Sequence, residues 1–320
     1  MRIRSSPTIN EVNVLFLALG LLLLVFGSMA QQRDLYTGVL ITEYIFILLP
    51  NIIYLKLRGF SLREVLGLKS ISIRQAVQII FIMIFAYPMA VFLNYIVIVM
   101  VNSMSQAMPI GVPVPTNLKE YIIGLLVIAV TPGICEEVMF RGTMQSAYNR
   151  IGDKKAILAT ALLFGLFHFN LLNLLGPFFL GIVLGIIRSK TGSLYGSVLG
   201  HTVNNGIAIT IGFVLTGLNE NLRNITEQAP VMPEGMQMIV TLVVLGGWAL
   251  FSFVVLYLLL KNLPESNREI EAEDDYEPHE EDLVDRPEEI EYDSERFLWA
   301  PVIIIAGLFI FLNYRYFFLL

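Results

Sequence analysis

The feature that most limits what this chain can fold into is its series of long apolar runs. Runs of about 18 or more apolar residues are long enough to cross a lipid bilayer. The runs lie at 12–30, 39–55, 76–101, 121–149, 156–169, 174–187, 192–215, 237–260 and 298–314. Only 15% of the residues are charged, against about a quarter in soluble domains. The sequence therefore predicts an all-α, multi-pass membrane protein with about eight to nine transmembrane helices.

The Lys and Arg residues indicate how these helices are oriented, because cytoplasmic segments of membrane proteins carry an excess of positive charge. With the N-terminus inside, sixteen of the 21 Lys and Arg residues lie in inner segments and four in outer segments. Arg141 remains within the membrane. We expect a protein of the cell membrane with a cytoplasmic N-terminus. The lipid bilayer is then one of its partners, and no nucleic-acid partner is expected.

Changes in composition divide the chain into five segments. They are N-terminal transmembrane helices (1–117), a helical core that carries the polar motifs (118–215), an outer loop with a transmembrane helix (216–263), an acidic linker (264–297) and a C-terminal transmembrane helix (298–320). The basic stretch at 57–75 is expected to be either an amphipathic helix on the inner surface or a solvated loop. The linker is so rich in acidic residues that it is expected to be disordered in the cytoplasm.

Three stretches place charged or amide side chains inside the apolar runs. They are TPGICEEVMFRG (131–142), FGLFHFN (164–170) and GHTVNNG (200–206). Ionisable residues inside membrane spans are rare and usually functional. The candidate site residues are therefore Glu136, Glu137, Arg141, His168, His201 and Asn205. Glu43, near the outer end of its span, is expected to be in contact with water instead.

The spacing of these residues predicts which of them can meet. Glu137 and Arg141 are four residues apart on one helix face, so they can form a structural ion pair. Glu136 points about 100° away around the helix and is expected to do chemistry in a different cavity. His201 and Asn205, again four residues apart, present an imidazole and an amide on one face.

A buried carboxylate, two imidazoles and an amide favour hydrolysis. Glu136 can take a proton from water that a histidine holds. The second histidine and Asn205 can donate hydrogen bonds to the oxyanion of an attacked carbonyl. Alternatively, Glu136, His168 and His201 could bind Zn²⁺ and leave one position open for water.

Other chemistries use fewer of these residues. No HExxH motif is present, and the seven Asp residues all lie outside the predicted spans, which leaves no aspartyl dyad in the membrane. Ser197 and His201 could form a serine–histidine dyad, but that dyad would leave the other polar residues without a role. A transporter or channel with a buried Glu/His site remains a further alternative.

The three motifs, in this order, resemble those of the CAAX protease and bacteriocin-processing (Abi or CPBP) family of intramembrane endopeptidases. That family has EExxxR, FxxxH and HxxxN on successive helices. Here the motifs are Glu136-Glu137-Val-Met-Phe-Arg141, Phe164-Gly-Leu-Phe-His168 and His201-Thr-Val-Asn-Asn205. The resemblance covers about 118–215, so that this segment is expected to be a catalytic core.

The resemblance implies that Glu136 and His168 activate water, while His201 and Asn205 hold the oxyanion. A glutamate-type protease without a metal cofactor is favoured, because Asn205 is a poor Zn²⁺ ligand. A zinc metalloendopeptidase is the alternative. The implied substrate is a membrane protein, a lipidated protein or a peptide, with cleavage of the CAAX or peptide-processing type. A non-catalytic immunity or scaffold protein with the same fold is also possible.

Overall fold

The computed structural model describes residues 6–102, 114–226, 233–266 and 298–319. Its ten helices are α1 (Ile9–Arg33), α2 (Leu35–Leu57), α3 (Leu62–Leu66), α4 (Ile73–Asn102), α5 (Leu118–Ile151), α6 (Asp153–Phe167), α7 (Leu175–Thr191), α8 (Leu194–Thr226), α9 (Glu234–Lys261) and α10 (Ala300–Phe318). No strand occurs within the described ranges. The predicted disorder of the acidic linker falls mainly on 267–297, outside the described residues.

The number of membrane helices agrees with the prediction. Eight helices among the described residues are long and apolar enough to cross a membrane. The predicted span at 156–169 corresponds to α6, which has 15 residues. At 1.5 Å per residue α6 is about 22 Å long, shorter than the roughly 30 Å hydrocarbon core of a bilayer. The prediction of an all-α, multi-pass membrane protein is confirmed.

Helices α6 and α7 form a tight antiparallel hairpin. Gly181 of α7 lies against Ala161 of α6, where a Cβ added to the glycine would be 2.8 Å from the Ala161 Cα. Small residues allow such close helix packing in membranes. The hairpin turns at 168–174, where Leu171–Asn173 form a short 3₁₀ helix. The segment between the two predicted short spans is therefore a turn.

Helix α5 changes its winding around Glu136 and Glu137. The α-helical stretch Thr131–Glu137 lies between two π-helical stretches, Leu125–Val130 and Val138–Met144. Pro132 lies in the first turn of the α-helical stretch. Single π-helical turns inside α-helices occur frequently at functional sites. Here they flank the two glutamates.

The basic stretch between α2 and α4 contains one short helix, α3. Its residues Val65 and Leu66 are buried in a small apolar cluster with Leu55, Phe60, Val138 and Leu194. Gly67 ends the helix in the left-handed conformation, at φ 59°. The apolar side chains of α3 thus pack against α2, α5 and α8 rather than facing outward.

The residues at the two ends of the acidic linker contact the same end of the bundle as the start of α1. At the first end, Lys190 forms an ion pair of 2.8 Å with Glu265, and the Lys190 ammonium lowers the pKa of that carboxyl. At the second end, the Leu298 carbonyl accepts a hydrogen bond from Asn13 of α1 at 3.0 Å. Arg150, at the end of α5, donates to the Ser6 carbonyl. Ser6, Glu265 and Leu298 therefore lie at one end of the helical bundle.

The orientation can be tested by labelling single cysteines introduced into a Cys135→Ala background. Ser5→Cys and Ser266→Cys should react with a membrane-impermeant reagent only from the cytoplasmic side. A side chain at position 235 meets no neighbour within 4 Å, so a cysteine there is accessible to the reagent. Because it lies at the other end of the bundle, Gly235→Cys should react only from outside. Labelling of Ser5→Cys and Ser266→Cys from opposite sides would contradict the predicted topology.

Candidate active site

The centre of the site is an imidazole held by a buried ion pair. Glu137 Oε1 lies 3.1 Å from Arg141 Nη1 and 2.9 Å from His201 Nδ1. The Glu137 side chain is fully buried, and Arg141 is 1% exposed. Because the Glu137 carboxylate forms an ion pair with Arg141 and accepts a hydrogen bond from His201, it joins α5 to α8. The structure thus brings the predicted pair together and adds His201 to it.

Arg141 has two further contacts that hold its guanidinium inside the bundle. Its Nη2 donates to the Gly181 carbonyl of α7 at 3.3 Å. Its Cζ lies 4.5 Å from the centre of the Phe164 ring, within cation–π distance. Arg141 therefore connects α5 to both helices of the α6–α7 hairpin.

Phe164 separates the two histidines. The Phe164 ring makes edge contacts with His168 at 5.1 Å and with His201 at 5.7 Å between ring centres. Phe164 itself is 1% exposed. The phenylalanine of the FxxxH motif is thus a packing residue against which both imidazoles and Arg141 rest. The motif spacing contained this residue, but only the tertiary contacts give its role.

Glu136 lies on the opposite side of the His201 ring from Glu137. Its Oε2 is 3.8 Å from His201 Nε2, and the Glu136 side chain is 12% exposed. This separation is too long for a direct hydrogen bond. The two adjacent glutamates therefore face two nitrogens of one imidazole instead of two separate cavities.

His168 lies at the C-terminal end of α6, where the helix gives way to the turn. Its Nδ1 is 2.9 Å from the Phe164 carbonyl. A carbonyl can only accept, so Nδ1 carries the proton and Nε2 is left for another partner. The ring is half-buried.

Asn205 is held by hydrogen bonds at both ends of its amide. Its Nδ2 donates to the Ile128 carbonyl at 3.2 Å, and its Oδ1 accepts from Asn204 Nδ2 at 3.1 Å. In an α-helix the Ile128 carbonyl would accept from the N–H of residue 132, which proline lacks. Asn205 supplies a donor in its place. One of its two amide N–H groups remains for a further acceptor.

A close approach of α5 and α8 sets these distances. A Cβ on Gly133 would clash with Thr202 Oγ1 and would lie 3.1 Å from the Thr202 backbone nitrogen. Only glycine at this position allows the two helices to pack so tightly. The glycine of TPGICEE thus fixes the distance between the glutamates and His201.

Glu43 was expected to be in contact with water, and this expectation is wrong. Glu43 is 7% exposed, and its Oε2 has no hydrogen-bond partner among the described residues. The stretch Ile41–Leu48 of α2 packs against Thr131–Glu137, and Glu43 interacts electrostatically with Glu136. A second buried carboxylate therefore lies next to the EE motif. The signal for it was an ionisable residue inside an apolar run, the same signal that identified the motifs.

The zinc alternative required Glu136, His168 and His201 to converge on one point. Within the described residues, no three His, Cys, Asp or Glu side chains form a group that could hold a metal ion. Nδ1 of His168 and Nδ1 of His201 are each hydrogen-bonded to a protein oxygen, which leaves Nε2 of each ring as the nitrogen that could bind a metal. Zinc-free hydrolysis stays a prediction that an experiment below tests.

These features define a class: a helical membrane protein with a buried Glu–His–Asn site at the junction of α5, α6 and α8. Residues 118–207 match the family described as type II CAAX prenyl endopeptidase, Rce1-like. The match agrees with the CAAX protease family that the three motifs resemble, and it supports a membrane protease at the level of the family. Comparisons with curated proteins and with solved structures returned no match.

Proposed function

We propose that the protein is an intramembrane endopeptidase that hydrolyses a peptide bond of a lipidated or membrane-bound substrate with water activated by Glu136 and His168. The observation that carries this proposal is the position of Glu136, a partly exposed carboxylate 3.8 Å from an imidazole that a buried ion pair holds in place. The family match of 118–207 supports the CAAX type of substrate.

In the proposed reaction Glu136 is the general base. It removes a proton from a water molecule, and the water oxygen attacks the substrate carbonyl carbon to form a tetrahedral oxyanion. The carbon–nitrogen bond then breaks, and the Glu136 carboxyl returns its proton to the leaving amine nitrogen. His168 Nε2 accepts a hydrogen bond from the other O–H of the water, which stays on the attacking oxygen, and so fixes the direction of attack. General bases of this kind contribute about 10²–10⁴-fold to the rate.

The oxyanion is stabilised by Asn205 and His201. The free amide N–H of Asn205 can donate to it directly. His201 Nδ1 donates to Glu137, because that paired carboxylate can only accept. His201 Nε2 can therefore donate to an oxyanion only when the ring carries both protons. In the neutral ring Nε2 would instead accept a hydrogen bond from water. The oxyanion role thus requires His201 to be an imidazolium.

The activity is tested with the purified full chain in lipid vesicles. The probe is an S-farnesylated peptide that ends in three residues after the modified cysteine, and the same peptide without the farnesyl group is the control. Release of the C-terminal tripeptide by the wild type and not by Glu136→Gln supports the proposal. A proteomic comparison of membranes that carry the wild type with membranes that carry Glu136→Ala extends the search for substrates to shed peptides and trimmed C-termini. If the protein C-termini are identical in both membranes and no tripeptide is released, the proposal is refuted.

Substitution of Asn205 should lower turnover without unfolding the protein. Removing one oxyanion donor typically costs about 10²–10³-fold in rate. Asn205→Ala and Asn205→Asp both remove the donor, and the second keeps the shape of the side chain. Both are expected to lose kcat with KM nearly unchanged. Full activity of Asn205→Asp would show that this position donates nothing to the oxyanion.

Removal of divalent metal is expected to leave the activity unchanged. The prediction is that chelator-treated protein keeps its turnover and that active preparations contain no stoichiometric zinc. A zinc enzyme would lose activity on chelation and regain it with Zn²⁺. Its Glu136, His168 and His201 variants would lose bound metal together, while Asn205→Ala would keep it. Such a result would replace the metal-free mechanism and leave the hydrolase assignment in place.

A further inference from the structure

The last helix, α10, contacts the turn that follows His168. Asn313 of α10 accepts a hydrogen bond from the Leu171 backbone nitrogen through Oδ1 at 2.7 Å. Its Nδ2 donates to the Phe169 carbonyl at 3.2 Å and to the Phe309 carbonyl of its own helix at 2.8 Å. Asn313 is 7% exposed. One buried amide thus holds the backbone on both sides of Asn170, and both its donors and its acceptor are used.

The turn needs such support because its backbone is strained. Phe169 has φ 50°, and it is the one non-glycine residue with positive φ among the described residues. A bulky side chain in this region costs on the order of 1–3 kcal/mol, and the surrounding structure must enforce the conformation. Phe169 follows His168 directly, so this φ sets the course of the backbone as it leaves the residue that carries the imidazole.

Packing from the same helix adds to the hydrogen bonds. The Phe169 ring lies next to Ile305 of α10, and both rest on Gly20 of α1. Phe317 of α10 joins a buried cluster with Leu172 of the turn and Val97 of α4. The turn is therefore enclosed by helices that lie outside the segment 118–207.

A second asparagine holds the other end of the turn. Asn94 of α4 accepts from the Gly176 backbone nitrogen at 2.7 Å, and it donates to the Asn173 side chain at 2.8 Å. Asn94 thus fixes the entry into α7, five residues or more beyond His168. Of these two asparagine side chains, Asn313 is the one that hydrogen-bonds to Phe169, the residue after the histidine.

We propose that Asn313 is a positioning residue for His168, so that the helix after the acidic linker completes the active site. This inference rests on the proposed function. Asn313 touches neither the substrate nor the water, and it acts by holding the Phe169–Leu171 backbone in the conformation that aims His168. The alternative is that Asn313 only anchors α10 to the bundle, in which case its loss would affect stability and nothing else.

The first test does not depend on catalysis. The chain has three histidines, and His279 can be replaced by Gln to leave His168 and His201. Side-chain NMR of isotope-labelled histidine in the full-length protein then gives one set of signals for each ring. Asn313→Ala should shift or broaden the His168 signals and leave those of His201 in place. Unchanged His168 signals in a folded Asn313→Ala protein would overturn the inference, whatever the enzyme does.

The second test measures turnover of the farnesylated peptide per folded molecule. Asn313→Ala should lower kcat by on the order of 10²-fold with KM unchanged, since a misplacement of about 1 Å can cost that much. In Asn313→Asp the bond from Leu171 is kept and the one to Phe169 is lost, so a smaller fall in kcat is expected. If Asn313→Ala does not fold, the kcat of Asn313→Asp tests the positioning role in its place: a fall supports it, and an unchanged kcat overturns it.

Asn13→Ala is the matched control. Asn13 is also a buried asparagine, and its side chain hydrogen-bonds to the Leu298 carbonyl before α10 and to the Tyr148 hydroxyl of α5, neither of which belongs to the turn. It should lower stability and leave kcat per folded molecule unchanged. An equal fall in kcat for Asn13→Ala and Asn313→Ala would show general loosening of α10 and would overturn the positioning role. If the peptide is not cleaved by the wild type, the proposed substrate fails and the NMR result alone decides on Asn313.

Discussion

Replacing Glu136 with Gln is expected to abolish detectable peptide hydrolysis while the helical bundle stays folded. The amide keeps the size of the side chain and can still contact water, but it cannot take a proton from it. Loss of a general base lowers rates by about 10²–10⁴-fold. The Glu137–Arg141 pair and its bond to His201 are left intact, so the folded fraction in detergent should match that of the wild type. Peptide release and thermal unfolding measured on the same preparation check both parts.

The neighbouring glutamate provides the control for Glu136→Gln. Glu137→Gln replaces the adjacent carboxylate with an amide in the same way, but it leaves Arg141 buried without its negatively charged partner. It should therefore lower the unfolding temperature clearly, whereas Glu136→Gln should not. If Glu136→Gln retains hydrolysis and Glu137→Gln stays folded without it, the two glutamates have exchanged the roles assigned here.

The parts of the site that the sequence could predict are those that depend on contacts within one helix. The four-residue spacing of Glu137 and Arg141 is enough to place them on one face, and the structure puts them 3.1 Å apart. The membrane spans followed in the same way from run length, because hydrocarbon thickness fixes helix length. Neither inference needed to know which helices are neighbours.

The parts that could not be predicted depend on which helices meet. His201 contacts Glu137 across a separation of 64 residues, and spacing carries no information about that contact. Glu43 was assigned to water because its own span seemed to end nearby, but α2 packs its carboxylate against α5. Asn313 lies beyond the acidic linker, and the Phe169 conformation that it supports has no marker in the sequence, since positive φ is usually associated with glycine.

Replacing Arg141 with Ala is expected to cost more stability than any other single change in the site. It removes the ion pair with Glu137, the bond to the Gly181 carbonyl and the contact with the Phe164 ring. It also leaves a carboxylate with no exposed surface without its cation. Breaking one partner of a buried pair costs about 3–5 kcal/mol. Folded protein recovered in detergent, followed by size-exclusion chromatography and thermal unfolding, should fall sharply.

The double variant Glu137→Gln/Arg141→Met separates structural from chemical loss. It removes both charges together, and apolar or neutral replacement of a whole buried pair is often close to neutral for stability. The double variant should therefore fold better than Arg141→Ala alone. It should still hydrolyse poorly, because His201 Nδ1 no longer faces a carboxylate that holds the direction of the ring. If Arg141→Ala remains fully folded and is inactive, Arg141 instead contacts the substrate or the oxyanion, and the ion pair is not what holds α5 to the α6–α7 hairpin.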